Sequence, residues 1–148
     1  MIGVLPATDR RRNSDAGNAA LELVILAPVL LGLLGLVIAA GRTTIAQGAL
    51  DAAAGDAARQ ASIALTPATA QAAAEASARA ALRSDGLDCV PVVVLDVSQF
   101  GTLPGHPAVV TATVSCSVPL ASLAVPGLPG AVLLRGTFAS PLDIYRSR

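Results

Sequence analysis

The chain has 148 residues, which leaves room for one modest domain and excludes a large catalytic core. Hydrophobic residues make up 53% of it but aromatics only 2%, so its apolar character comes from Ala, Val and Leu and points to a membrane segment. Ten acidic residues balance ten basic ones, all of them arginine, and no basic face interleaved with aromatics occurs, which sets nucleic acid aside as a partner.

The first element follows a basic cluster, Arg10, Arg11 and Arg12. From Leu23 to Gly41 no charged or strongly polar side chain occurs. At about 1.5 Å per residue this run reaches nearly 30 Å, enough to cross bilayer hydrocarbon as a helix. Its Leu, Ile and Val residues each contribute roughly −0.3 to −0.6 kcal/mol to insertion, outweighing one carboxylate that costs about +3 kcal/mol at a helix centre and less near an end. That carboxylate is Glu22, and two readings of it stand. It is either an interfacial group reaching headgroup water or a charge that meets a partner. Pro28, further in, is tolerated with a bend. The arginine cluster predicts a cytoplasmic N-terminus, with everything after Arg42 on the other side of the cell membrane. A secretory signal peptide is the rival, with Ala39, Ala40 and Gly41 as small residues for cleavage, but the run exceeds an ordinary signal core of about 7–15 residues. The arginine triplet is a poor twin-arginine address because no hydrophobic residue closely follows it.

After Arg42 the composition turns to alanine-rich helix, to Gly86. Thr66 is expected as an N-cap with Pro67 in the first helical position of a second helix, and Gly86 as its stop. The alanines fit either plain helix propensity or close helix packing, and sequence alone leaves both open.

Residues 87–148 change to a period of two. In "AVVTATVSCSV" Val110, Ala112, Val114, Cys116 and Val118 alternate with Thr and Ser, the pattern of a half-buried strand. In "CVPVVVLDV" Cys89, Pro91, Val93, Leu95 and Val97 form the more apolar face, with Pro91 indicating an edge strand. An antiparallel register that sets Cys89 opposite Cys116 also sets Pro91 against Val114, Val93 against Ala112 and Leu95 against Val110. A third run, "AVLLRGTF", follows a Pro/Gly-rich connector and completes a meander that needs a helix to cover it. The expected class is therefore α+β and membrane-anchored: a transmembrane helix continuing into alanine-rich helix, then a small antiparallel meander. With both cysteines outside the cytoplasm, a Cys89–Cys116 disulfide is expected, against the alternative of two buried free thiols.

No enzyme is expected, and no cofactor. The two cysteines lack C-x-x-C spacing, and with the single His106 they do not supply the three or four ligands of a usual metal site. His106 lies in the turn-like "LPGHPA", where a solvated loop histidine is the ordinary reading. Nucleophile-elbow, Walker and dinucleotide-binding patterns are absent from the sequence. Gly32, Gly35 and Ala39 offer small residues for helix packing, a pattern common in membrane helices.

Gly17 followed by Glu22, with an apolar helix behind, resembles the processing motif of type IV prepilins. The whole order of "ALELVILAPVLLGLLGLVIAAGR", the alanine-rich "AAGDAARQAS" and a small strand region resembles the TadE-like minor pilins or pseudopilins of the tight-adherence (Flp) pilus system, most strongly over residues 15–62. That resemblance implies a leader over 1–17, a transmembrane helix over 18–41, an extracytoplasmic helical region over 42–86 and a β-rich region over 87–148. It implies that a membrane-embedded prepilin peptidase cuts between Gly17 and Asn18. Glu22 would then be the fifth mature residue and pair with the N-terminal amine of a neighbouring subunit. Two opposite charges in a low-dielectric layer attract far more than in water, whereas an unpaired carboxylate there pays desolvation. The implied partners are membrane lipid, other pilin and pseudopilin subunits, the prepilin peptidase and the pilus platform proteins. The alternative is an unprocessed, single-pass anchored adaptor protein.

Overall fold

The structure, a computed structural model, describes residues 12–103, 105–123 and 129–143, apart from the side chains of residues 12–20, 122 and 123. Two residues of the basic cluster, 10 and 11, and part of the Pro/Gly-rich connector, 124–128, lie outside that description. The chain divides into two units, Met1–Ile38 and Ala39–Arg148. The long helix α1, Arg12–Ser62, contributes to both.

In the first unit α1 is leucine-rich and interrupted only by Pro28, which has no N–H to give the Val24 carbonyl. The large side chains here face outward on every side, from Leu21 at 65% exposed and Val24 at 73% to Leu36 at 67%. This helix, apolar all round, is long and apolar enough to cross a membrane.

In the second unit α1 ends at Ser62 and helix α2 runs Pro67–Ser84. The expected break is built as a capping box, in which Thr66 Oγ1 accepts the Thr69 N–H at 3.2 Å and Thr69 Oγ1 accepts the Thr66 N–H at 3.2 Å. Pro67 occupies the first turn, where its missing N–H costs nothing. At the other end Gly86 takes φ +73°, so that the Leu87 N–H reaches the Leu82 carbonyl at 2.9 Å and the Gly86 N–H reaches Arg83 at 3.1 Å. These are the two bonds of a Schellman stop, which the left-handed conformation open to glycine permits.

Three antiparallel strands follow in the order β1-β2-β3: β1 Val92–Asp96, β2 Val109–Pro119 and β3 Ala131–Pro141. A short helix, α3, Leu120–Leu123, follows β2. β1 is an edge strand, as Pro91 indicated, and the third strand runs three residues past the expected Phe138. The register between β1 and β2 differs from the expected one. Val93 lies opposite Val114 and Leu95 opposite Ala112, a shift of two residues. Because side chains alternate with a period of two, this shift keeps both apolar faces together, and facial pattern alone does not separate the two registers. Three polar contacts accompany the observed one. Asp96 Oδ1 accepts the Ser98 N–H at 3.0 Å where β1 ends, Gln99 Oε1 accepts the Val109 N–H at 2.8 Å where β2 begins, and Gln71 Nε2 donates to the Val93 carbonyl at 2.9 Å. Hydrogen bonds from the Ser98 side chain and backbone hold the Asp96 carboxyl below its ordinary pKa.

The core of this unit lies between the helices and the even-numbered face of β2. Ala53, Ala54, Ala57, Ala58 and Ala61 from α1 and Ala70, Ala74 and Ala78 from α2 are fully buried with Leu50, Leu82, Val110, Val114 and Cys116. Ala52, Ala68, Ala72, Ala76 and Ala80 face solvent and serve only helix propensity. The two readings of the alanines therefore divide between faces of the same helices. Approach is closest at Gly136 of β3, where an added Cβ would lie 2.5 Å from the Leu50 carbonyl oxygen and 2.8 Å from the Asp51 nitrogen. Gly136→Ala should push α1 off the sheet and cost about 1–3 kcal/mol. Gly48, inside α1 with nothing within 4 Å of an added Cβ, is the control. Gly48→Ala should stabilise by about 0.5–1 kcal/mol. Thermal unfolding of the detergent-solubilised chain, followed by circular dichroism, should move in opposite directions for the two variants.

Candidate docking helix and disulfide-stapled head

The predicted site residues fall in two places. Gly17 and Asn18 lie within the α1 backbone, with Glu22 further along the same helix. Residues four apart on a helix share a face, so a charge at position 18 and the Glu22 carboxylate stand one turn apart. Glu22 is exposed, and its neighbours Leu21, Leu23, Val24 and Ile25 are exposed at 62–73%. The carboxylate thus lies at one end of an apolar surface that its own unit leaves uncovered. Added Cβ atoms at Gly32 and Gly35 would meet nothing within 4 Å among the described residues.

The second place is the head. Cys89 and Cys116 form a disulfide with their Cα atoms 6.2 Å apart, within the span such a bond requires. They are not directly opposed. Continuing the observed register one step beyond Val92 and Ser115 would set Pro91, not Cys89, against Cys116. The bridge therefore reaches diagonally from the segment between α2 and β1 onto β2, and Cys116 is buried, at 1% exposed. It ties the chain leaving α2 to the middle strand of the sheet. His106 is exposed beside Gly105, its N–H bonded to the Leu103 carbonyl at 3.2 Å.

Two further residues escaped the sequence reading. Gln47 Nε2 donates to the Arg135 carbonyl of β3 at 2.7 Å, and Gln71 Nε2 donates to the Val93 carbonyl of β1 at 2.9 Å. Each amide also bonds a carboxylate one turn on, Asp51 at 3.3 Å and Glu75 at 2.8 Å. Both outer strands thus have a backbone acceptor occupied by a helix side chain, one of the ways proteins discourage strand addition at sheet edges. A glutamine followed four residues later by an acid is the only trace of this in the sequence, and it is common on helix surfaces.

Residues 17–59 match the family model described as TadE-like protein. Over that stretch the chain is similar to TadE-like proteins. The matched segment begins at Gly17 itself and falls inside residues 15–62, where the sequence resemblance was strongest. It associates the chain with the tight-adherence pilus and covers less than a third of the 148 residues, leaving out α2 and the sheet. No curated protein and no solved structure matches the chain.

The head offers a direct measurement. With the cysteines at a sequence separation of 27, losing the bond in Cys89→Ser should cost about 3–4 kcal/mol in the chain-entropy model. Non-reducing peptide mapping of envelope-derived protein should recover Cys89 and Cys116 in one linked pair. Two thiols that alkylate without reductant after unfolding would contradict the pairing.

Proposed function

We propose that this TadE-like chain is a minor pilin or pseudopilin that takes part in assembling a tight-adherence pilus or a related secretion apparatus. The observation that carries the reading is the family match opening at Gly17, five residues before a carboxylate on the rim of an uncovered apolar helix. In this role the leader is removed between Gly17 and Asn18 on the cytoplasmic side, and the rest of the chain after Arg42 stands outside. The new amine at Asn18 and the carboxylate of Glu22 then provide one positive and one negative group at the same end of each subunit. Within one chain they lie a turn apart, and between chains each satisfies its counterpart as one apolar helix slides against the next. The strength of that pairing comes from the low dielectric around it, and the penalty for leaving either charge alone gives the register its specificity. Other pilins, the prepilin peptidase and the platform proteins are the partners this role requires.

Processing is tested by intact mass. Protein extracted from membranes of a host with the cognate peptidase should begin at Asn18, and a chain that keeps its leader would favour the permanent-anchor alternative.

Docking is tested separately. Glu22→Leu makes the helix more apolar and should leave the chain in the membrane. Its co-purification with other pilins should fall by about tenfold or more, the loss expected for about 1.4 kcal/mol. Unchanged co-purification would remove Glu22 from the docking contact.

A further inference from the structure

The head contains a cleft of about 290 Å³ bounded by the start of its share of α1, the stop of α2 and the end of β2. Arg42, Ile45, Ala46 and Ala49 form one wall, Asp85 to Cys89 the second, and Val118 with Pro119 the third. We propose that this cleft holds the headgroup of a bilayer phospholipid that carries a primary ammonium group, a phosphoethanolamine. The inference rests on the membrane-spanning reading of the apolar helix.

Three observations lead to that occupant. The first is depth. Arg42 is the residue directly after the apolar run, which closes at Gly41, so the first wall begins where the hydrocarbon ends. From Arg42 to Ala49 the helix rises about 10 Å. A bilayer's polar layer is about 5–7 Å deep on each side, so this wall spans the headgroup layer at the usual helix tilts of about 0–40°.

The second is charge. One basic residue, Arg42, and two acidic ones, Asp85 and Asp88, are among the residues that line the cleft. A guanidinium suits a phosphate, which accepts its forked hydrogen bonds. Carboxylates suit an ammonium that has N–H groups to donate. An anionic glycerol headgroup would bring the phosphate without the cation and face two carboxylates unpaired. Choline carries a cation without N–H donors and is recognised by aromatic faces, and none of the described lining residues is aromatic.

The third is size and floor. The volume is at the lower end of small-ligand clefts, of about 300–1,000 Å³, which suits a headgroup and its glycerol rather than a whole lipid. Ala46 and Ala49 are buried and Ile45 is 73% exposed, so the floor is apolar and the mouth has an apolar lip where acyl chains begin.

Full-length protein in nanodiscs of equal phosphatidylethanolamine, phosphatidylglycerol and phosphatidylcholine, released for native mass spectrometry, tests the assignment. One phosphatidylethanolamine should be retained per chain, about tenfold over either competitor, a preference of about 1.4 kcal/mol. The double variant Asp85→Asn with Asp88→Asn should abolish the preference. Ala49→Leu, which fills the floor without touching a charge, should abolish retention altogether, with an unchanged melting curve showing that the head is folded. Equal retention of the three lipids, preference for phosphatidylglycerol, or retention undiminished by Ala49→Leu would overturn the proposal. Carbonate extraction of native membranes separates the two levels. A chain released by carbonate refutes the membrane-spanning reading and this inference with it, whereas an embedded chain that retains no lipid refutes only the inference.

Discussion

The head depends on how closely a helix backbone approaches a strand. At Gly136 the distance to the Leu50 carbonyl leaves no space for even a methyl group, and one turn further along the helix Ala53 and Ala54 are fully buried. Small residues on both surfaces mean that little apolar area is contributed per residue, but the contacts that remain are backbone to backbone and dense. A chain with two phenylalanines, one tyrosine and no tryptophan has few large side chains to fill a gap between layers, so it closes the gap instead. Phe138 is the exception. It sits 3.8 Å from where a Cβ on Gly55 would be, with the Arg59 guanidinium 6.0 Å from its ring centroid. Even so it stays 42% exposed beside that glycine, while Phe100 packs against the core.

Other features of the head follow from this thin core. The Cys89–Cys116 bridge restricts the unfolded chain and offsets part of what a larger apolar core would have contributed. The capping box at Thr66 and the Schellman stop at Gly86 fix both ends of α2, so that Ala70, Ala74, Ala78 and Leu82 meet the sheet in one phase. With so little side-chain bulk to define the helix rotation, its ends must define it. Gln71 performs a second fixing, because its amide engages β1 only when α2 is in that phase.

Much of this was legible in the sequence, and the rest was not for identifiable reasons. The apolar run, the Thr66–Pro67 start, the Gly86 stop and the alternating faces of β1 and β2 are each specified by neighbouring residues, so local chemistry reveals them. The register of β1 on β2 is different in kind. Registers two residues apart bury the same faces, and side chains from outside the strands, Gln71 and Gln99, join in the one observed. The burial of particular alanines depends on which helix face meets the sheet, and the weak apolar contrast of an alanine-rich helix conceals that. Gly136 reads as an interruption in a strand until α1 is seen against it. The carboxylate at Glu22 was legible because a single charge in an apolar run is conspicuous.

The distribution of unsatisfied surface divides the labour along the chain. In the head, backbone acceptors of both outer strands are taken by Gln47 and Gln71, and each of those amides is held in turn by a carboxylate on its own helix. Strand addition there would have to displace a hydrogen bond before forming one. In the apolar unit the situation is reversed, since every large side chain described is exposed and a single carboxylate interrupts the pattern. Apolar surface without polar direction is promiscuous, and it gains specificity from a charge that is costly to leave alone. Occupied acceptors on the outer strands and an exposed helix with one carboxylate act in the same sense: in the proposed role they favour association through the helix, with Glu22 as the feature that would give it a register.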